Sequence, residues 1–386
     1  MRKLRLGPLL AAACVFSWIL LLPACGSGSS DSASEPTQPG DDGSNPTEEP
    51  PVDTGGETGE EEEPGEGTGE GTTPTPQPGA ALAPTQPTSG PGGLDYRYGS
   101  VTTQVRGIGA QGYTLVYPNS TSGRSLPVVY LLHGYGSINL NPYRSWAEHL
   151  ARHGAIVIYP SYQVSAVTPM RDYTPNAIVG IRAALDGLAA GSGPLPDSSR
   201  VVAIGHSMGG AIAANIAASA GSAGIPVPRA LMAINPANIS RSTGLVMPLE
   251  DMGQIPAGTL LLSLYSDRDD RIPNQLAKTL FYGATNVLVA DKDYVLVHSD
   301  DYGSRSLLAD HFAALAGQSN DYSAYPPDAL DFYGYWKLAD ALMGAAFDGS
   351  ASLRNVALGG GSVAQVDMGK WSDGRAVTPL TVTDAP

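Results

Sequence analysis

Cysteine is nearly absent from this 386-residue chain, which has only Cys14 and Cys25, both close to its N-terminus. The rest of the sequence has no thiol for a disulfide or a thiolate metal site, so a folded domain must be stabilised by its core alone. An excess of basic residues is lacking as well. Lys and Arg number 22 against 37 Asp and Glu, which gives a formal net charge of −15. This balance argues against a nucleic acid as a partner.

Large apolar side chains and basic residues are both scarce between residues 26 and 93, where Gly, Pro, Thr, Ser and Glu dominate. Such a segment cannot bury enough apolar surface to offset the entropy of ordering. It carries 14 acidic residues, which leaves a charge of −4 for residues 94–386 once the three basic residues of the N-terminus are counted. We interpret residues 25–93 as a disordered acidic tether, extended by charge repulsion and proline. Residues 94–386 are long enough for one domain with a single large core.

Long apolar runs are missing too, except for one between residues 9 and 22 that follows three basic residues. It is too short for a membrane span and is typical of a secretory signal peptide, which we place at residues 1–24. The run ends in Leu22-Pro23-Ala24-Cys25-Gly26, which resembles the lipobox of bacterial lipoproteins. The resemblance implies a lipid on Cys25 and a secreted protein that is lipid-anchored at the bacterial cell surface, outside the cytoplasm. An ordinary secretion signal is the alternative.

From residue 113 onward, short β-rich runs alternate with helical patterns, as expected of an α/β fold with a mostly parallel, doubly wound sheet. Most of the runs are continuously apolar, which fits strands buried on both faces. An antiparallel edge strand is predicted at Tyr98–Val105. The other predicted strands are Tyr113–Tyr117, Val128–Leu132, Ala155–Tyr159, Arg200–Ile204, Ala230–Ile234, Thr259–Tyr265 and Tyr294–Val297. The predicted helices are Arg144–His153, Pro175–Ala190, Gly210–Ala220, Pro273–Tyr282 and Asp331–Phe347.

One short motif carries the strongest chemical signal: Gly205-His206-Ser207-Met208-Gly209. A G-x-S-x-G match is weak evidence by itself, and a structural glycine-rich turn is the alternative interpretation. Here, however, the motif directly follows a predicted strand and opens a predicted helix, which is the context of a nucleophile elbow. We therefore predict that Ser207 is a nucleophile at a helix N-terminus, where the helix dipole favours the negative charge of an acyl-transfer intermediate.

An acyl-transfer intermediate also needs two amide donors for its oxyanion. The N–H of Met208, one residue past the nucleophile, is the first candidate. The second is the N–H of Tyr135, in the loop that follows the strand Val128–Leu132. His133 in the same loop is predicted to support the loop rather than to act as a base.

A general base and an acid that orients it are needed C-terminal to the motif. After the strand Thr259–Tyr265 three carboxylates are candidates for the acid: Asp267, Asp269 and Asp270. A calcium site built from these three is a rival, but the run lacks the Gly and the distal Glu of a calcium loop. For the base, His298 lies at the tip of a strand, whereas His311 lies in the following loop at the start of a predicted helix. We therefore favour His311.

Together these residues make the chain resemble the α/β-hydrolase superfamily, near its cap-less esterases such as dienelactone hydrolases, chlorophyllase-like proteins and cutinase-like polyester hydrolases. The resemblance implies ester hydrolysis without a metal or cofactor. It also favours Asp269 as the acid, because Asp269 stands four residues before Pro273, as in the corresponding loop of many members. The other histidines that precede the acid are predicted to be surface or supporting residues: His149, His153 and His206.

The sequence thus predicts a serine hydrolase of carboxylic esters, with Ser207, His311 and Asp269 as its catalytic residues. Only about two dozen residues separate the strands Ala230–Ile234 and Thr259–Tyr265, which leaves little room for a cap over the site. Two alternatives remain: a peptidase of the same fold, and a surface lipoprotein that kept the fold for binding without catalysis.

Overall fold

The computed structural model describes residues 80–165, 167–240, 244–317 and 325–385. The predicted signal peptide, Cys25 and the predicted tether up to residue 79 lie outside the described residues. Within the described ranges, none of the helices combines the length and the apolar composition that a membrane crossing requires.

A nine-stranded sheet forms the centre of the fold, in the order β1-β2-β4-β3-β5-β6-β7-β8-β9. Neighbouring strands from β4 to β8 are parallel, whereas β1, β2 and β9 pair in antiparallel fashion at the two edges. The strands are β1 Val101–Arg106, β2 Tyr113–Pro118, β3 Ser125–Leu132, β4 Ile156–Pro160, β5 Leu195–His206, β6 Ala230–Ile234, β7 Leu260–Ser266, β8 Lys292–Val297 and β9 Thr381–Thr383.

Helices cover both faces of the sheet, and each face has its own apolar core. Alternating residues of one strand contribute to the two cores, as the pleat of a strand requires: Val129 and Leu131 of β3 join one, Val128 and Tyr130 the other. The helices are α1 Arg144–His153, α2 Tyr173–Ala190, α3 Met208–Ala223, α4 Gln275–Gly283, α5 Trp336–Asp348, α6 Ala351–Ala357 and α7 Val363–Val366. Buried side chains of α1 and α5 pack on one face, and those of α2, α3 and α4 on the other.

This architecture confirms the predicted α/β class and its mostly parallel sheet. All of the predicted strands and helices are present, with ends that differ by up to five residues, but the last predicted helix starts with a π-helical turn at Asp331–Tyr335. Apart from single turns of 3₁₀-helix, three short elements of the described chain were not predicted, namely α6, α7 and β9. They are too short to produce a recognisable periodic pattern.

One predicted boundary differs from the structure. Residues 80–93 were assigned to the tether, yet they pack on the domain: Ala81 is buried in the core, and its carbonyl accepts a hydrogen bond of 2.8 Å from Ser304 N–H. Leu82 N–H donates to the hydroxyl oxygen of Ser372, Ser372 N–H donates to Leu82 O, and Gly92 N–H donates to the Asp340 carboxylate. The folded domain therefore includes residues of the 80–93 segment, which the sequence assigned to the tether.

Candidate active site

Ser207 occupies the sharp turn between β5 and α3, at the carboxyl edge of the parallel strands. Its backbone has φ 56° and ψ −125°, which is a strained conformation for a residue other than glycine. The turn is held by a hydrogen bond from Ser207 N–H to Ile234 O and by two donors to Ser207 O. Its tightness explains the flanking glycines. A Cβ on Gly205 would lie 2.1 Å from Gly209 O, and one on Gly209 would lie 2.1 Å from Leu132 O.

Two side chains from distant parts of the sequence converge on this serine. Nε2 of His311 lies 2.9 Å from Ser207 Oγ, and Nδ1 of His311 lies 2.7 Å from Asp269 Oδ2. All three residues are buried, each with a relative exposure of 7%. The structure thus brings together the three residues that the sequence proposed as nucleophile, base and acid. His311 lies in a hydrogen-bonded turn at residues 311–314 rather than at the start of a helix.

Asp269 is held so that one carboxylate oxygen faces His311. Its other oxygen, Oδ1, accepts hydrogen bonds from the N–H groups of Arg271 and Ile272, at 3.0 and 2.9 Å. Burial alone would raise the pKa of Asp269, but His311 and these two amides lower it below its usual range. The carboxylate is therefore ionised at neutral pH and keeps the proton of the neutral imidazole on Nδ1, which leaves Nε2 free to accept the serine proton.

The two predicted oxyanion donors border the same cleft as Ser207. Met208 is the first residue of α3, so its N–H has no carbonyl of a preceding helical turn to donate to. Tyr135 N–H has no acceptor among the described residues. Two residues whose N–H groups have no acceptor among the described residues thus border one cleft, and an oxyanion requires two such donors.

A buried relay connects the three loops of the site. Gly134 N–H donates to Tyr143 Oη at 2.9 Å, and that hydroxyl lies 2.7 Å from Nδ1 of His206. Nε2 of His206 lies 2.7 Å from the backbone oxygen of His311. Because a carbonyl only accepts, Nε2 carries the proton and Nδ1 accepts from Tyr143. Burial lowers the pKa of His206 to about 3, so the ring is neutral, as this pattern requires.

Sequence reasoning missed this relay. His206 was predicted to be a surface or supporting residue, and the structure places it in a fully enclosed supporting position next to the nucleophile. Tyr143 was not singled out at all. The sequence shows His206 beside the serine of the motif, but its partners Tyr143 and His311 lie 63 and 105 residues away along the chain.

His133 supports the loop that contains Tyr135, as the sequence predicted. Its ring is fully buried and stacked between Tyr159 and Tyr162, with centroid distances of 5.0 and 4.0 Å. The two ring nitrogens face the carbonyl oxygens of Gly134 and Ser161. Burial lowers the pKa of His133 to about 4, so at neutral pH the ring is neutral and donates to only one of these oxygens.

The alternative acid and base candidates lie away from Ser207. Asp267 and Asp270 are exposed. Asp267 accepts hydrogen bonds from Ser299, and its carboxylate lies 3.5 Å from Nδ1 of His298. Nε2 of His298 is 2.8 Å from the hydroxyl of Thr381 on the edge strand β9. His298 and Asp267 therefore form a separate pair at the side of the sheet, and the three carboxylates do not converge on a common cation position.

The cleft above Ser207 has a volume of about 290 Å³ and opens to the surface. The guanidinium of Arg271 lies 4.6 Å from the ring centroid of Phe312 at its rim. The cleft is bordered mainly by apolar and aromatic side chains: Tyr135, Tyr143, Ala237, Ile239, Ile272, Phe312 and Leu315. Such a lining suits an uncharged acyl group.

Comparison with known proteins agrees with this geometry. The model of the alpha/beta hydrolase family matches residues 129–367, a range that contains Ser207, Asp269 and His311. No curated protein gives a significant match to the sequence.

Proposed function

The chain belongs to the alpha/beta hydrolase family, and from this premise we propose that it is a serine hydrolase that cleaves carboxylic esters through an acyl-enzyme intermediate. The observation that carries the proposal is the hydrogen-bonded series from Ser207 Oγ through His311 to Asp269, with distances of 2.9 and 2.7 Å. It supplies a nucleophile, a base and a group that orients the base.

In the proposed reaction, His311 accepts the proton of Ser207 as Oγ attacks the ester carbonyl carbon. The carbonyl oxygen becomes an oxyanion and accepts hydrogen bonds from the N–H groups of Tyr135 and Met208. His311 then gives the proton to the departing alcohol oxygen, which leaves the acyl group on Ser207. A water molecule, deprotonated by His311, attacks the acyl-enzyme and releases the carboxylic acid. Asp269 stabilises the imidazolium formed in each half-reaction.

Among the described residues no cap domain covers the cleft, which supports an ester substrate with a freely extending alcohol group. A cap in this fold would have to lie between β6 and β7, over residues 235–259. The described part of this stretch contains a single turn of 3₁₀-helix, Met252–Gln254, and no α-helix. The volume of about 290 Å³ favours a short acyl chain. These features are those of the cap-less esterases that the sequence resembles.

A fluorophosphonate probe tests the catalytic proposal. We expect it to label the wild-type protein and the Ser219→Ala variant, but not Ser207→Ala. Ser219 is a suitable control because it lies on the same helix as the elbow and donates only to the carbonyl of Asn215. Equal labelling of Ser207→Ala, or no labelling of the wild type, would refute the proposal.

A pair of matched substrates separates an esterase from a peptidase of the same fold. We expect p-nitrophenyl butyrate to be hydrolysed and the corresponding p-nitroanilide to be cleaved at least about 1,000-fold more slowly, as measured by kcat/KM. Comparable values for the two substrates would favour the peptidase. A protein that binds the probe substrates but turns over neither would favour the non-catalytic alternative.

We also propose that the domain is held outside the cytoplasm by a lipid on Cys25, a proposal supported by the lipobox resemblance alone. In a bacterial host, metabolic labelling with an alkyne fatty acid is expected to tag the wild-type chain and not Cys25→Ser. The hydrolytic activity of the Cys25→Ser variant should be unchanged. Untagged wild-type protein in the culture medium would indicate an ordinary secretion signal instead.

A further inference from the structure

Two histidines and one aspartate meet at the opposite end of the sheet from Ser207. His149 and His153 lie one turn apart on α1, and Asp340 lies on α5. One potential ligand atom from each lies within 4.8 Å of the other two, and among the described residues this is the only such group of three. His153 and Asp340 border a cavity next to Ser125, at the amino end of β3, whereas Ser207 lies at the carboxyl ends of the parallel strands.

The hydrogen bonds of His153 leave one of its nitrogens able to bind a metal. Its Nε2 lies 3.2 Å from the backbone oxygen of Gly93. A carbonyl oxygen only accepts, so Nε2 carries a proton, and Nδ1 is the nitrogen through which His153 could bind a metal. A metal-binding histidine typically donates its other N–H to a carbonyl or carboxylate oxygen in this way.

His149 has a similar outer partner. Its Nδ1 lies 3.2 Å from the hydroxyl of Tyr96, and its Nε2 lies 2.9 Å from Asp340 Oδ2. The ring is buried and packs against Trp336 at a centroid distance of 4.5 Å. If Nε2 bound a metal, the proton would move to Nδ1, where the oxygen of Tyr96 could accept it. The site can thus take up a cation without leaving a buried N–H unpaired.

Asp340 supplies a negative charge. Its Oδ2 accepts a hydrogen bond of 2.8 Å from Gly92 N–H, and its Oδ1 has no hydrogen bond to a described residue. Burial would raise the pKa of Asp340, but the two imidazoles and the Gly92 amide lower it below its usual range. Gly92 has φ +79°, and a Cβ there would lie 2.0 Å from Phe332 O, so this close approach of the backbone to Asp340 requires glycine.

We propose that His149, His153 and Asp340 form a zinc site. Two imidazole nitrogens and one carboxylate oxygen are ligands that Zn²⁺ prefers, and three protein ligands leave a fourth position of the tetrahedron for water. His153 and Asp340 border a cavity of about 520 Å³, which has room for that water molecule.

The proposed ion joins three parts of the chain that are distant in sequence. The ligands come from α1 and α5, and their outer partners, Gly92, Gly93 and Tyr96, come from the segment that precedes the sheet. Because the site lies at the other end of the sheet from Ser207, the ion stabilises the attachment of this N-terminal segment and takes no part in ester hydrolysis.

Zinc titration of the full chain tests the proposal. The purified protein is treated with EDTA, dialysed against metal-free buffer and titrated with ZnCl₂ in a calorimeter. We expect one Zn²⁺ per chain and a melting temperature that rises when Zn²⁺ is added. Co²⁺ bound in place of Zn²⁺ should give the visible absorption of a tetrahedral site.

Three variants locate the ion. His153→Ala removes a ligand from a half-buried position and should weaken Zn²⁺ binding by at least about 100-fold. Tyr96→Phe keeps the ring, on which the Arg152 guanidinium stacks at 3.6 Å, but removes the hydroxyl beside His149, and should weaken binding by roughly 10- to 100-fold. His298→Ala is the matched control, since His298 also faces a carboxylate, and should bind Zn²⁺ as the wild type does.

Cooperative thermal unfolding of each metal-free variant will show that it is folded. Failure of the folded wild type to bind Zn²⁺ would overturn the proposal, and the three side chains would then be a hydrogen-bonded clamp only. Zinc binding of equal strength in His153→Ala and the wild type would overturn it as well. Neither result bears on ester hydrolysis, which the fluorophosphonate experiment tests separately.

Discussion

Replacing Asp269 with Asn should place the proton of His311 on the wrong nitrogen. Two backbone N–H groups point at Oδ1 of Asp269, and in the variant only the amide oxygen can accept both hydrogen bonds. The amide NH₂ must then occupy the place of Oδ2, 2.7 Å from Nδ1 of His311. A donor at that place requires Nδ1 to be unprotonated. Nε2 then carries the proton toward Ser207 and cannot accept another.

The expected loss follows from this change of tautomer. The side-chain volume hardly changes and the two backbone hydrogen bonds remain, so substrate binding and KM should be little affected. The same substitution in a serine protease triad lowers kcat by about 10⁴-fold. We expect a fall in kcat of roughly 10³- to 10⁴-fold here, which corresponds to about 4–5.5 kcal/mol of lost transition-state stabilisation.

The assay is steady-state hydrolysis of p-nitrophenyl butyrate, with Asp267→Asn as the matched control. Asp267 also lies near a histidine, but that histidine is His298 at the side of the sheet, so its variant should keep nearly full activity. A loss of less than tenfold in Asp269→Asn would refute the reasoning. An equal loss of kcat in Asp269→Asn and Asp267→Asn would also refute it, because the effect would then not be specific to the carboxylate beside His311.

Three further outcomes are expected. Tyr143→Phe removes the hydroxyl of the buried relay and should lower kcat by about tenfold at similar KM. Tyr130→Phe is the control, because the hydroxyl of Tyr130 donates to a carbonyl far from the cleft. It should lower only the free energy of unfolding, by about 1–3 kcal/mol. Gly209→Ala should lower the free energy of unfolding, measured by chemical denaturation, by more than about 3 kcal/mol, because the new Cβ would meet backbone atoms. Gly99→Ala is the control and should leave the free energy of unfolding unchanged, because the space around Gly99 is open. The pKa of His133 is lowered from 6.5 to about 4, so the unfolded chain takes up a proton there before the native state does. Stability should therefore fall as pH drops from 6.5 toward 4, and His133→Phe should reduce that slope by up to about 1.4 kcal/mol per pH unit.

The elbow could be predicted from sequence because everything that defines it is local. A buried strand, two glycines and a helix surround Ser207 within one continuous stretch, and each has a recognisable pattern. The strained φ of 56° follows from the same constraint, since a strand must reverse into a helix within one residue. The parallel sheet was predictable for a related reason: strands that are buried on both faces are apolar throughout.

The partners of Ser207 depend on contacts that no local pattern encodes. Asp269 and His311 are 42 residues apart, and His311 is 104 residues from the serine. The sequence could reduce the base to two histidines, but both follow strand β8 and both face a carboxylate in the folded chain. Which carboxylate belongs to the cleft is decided by the register of β7 and β8 and by the loop that returns His311 over the sheet.

Residues 80–93 show that a composition typical of a disordered tether can also occur in a segment that packs on a folded domain. Gly, Pro and Thr predicted a tether because they cannot build a core of their own. The segment nevertheless packs, because the domain supplies what the segment lacks: the Asp340 carboxylate accepts from Gly92 N–H, and Ser304 N–H donates to Ala81. Gly92 is one of the glycines that make this segment look disordered in the sequence. In the structure it allows the backbone to lie close to Phe332, since a Cβ on Gly92 would be only 2.0 Å from Phe332 O. Low-complexity composition therefore predicts the absence of an independent core, but it does not exclude ordered packing on a neighbouring one.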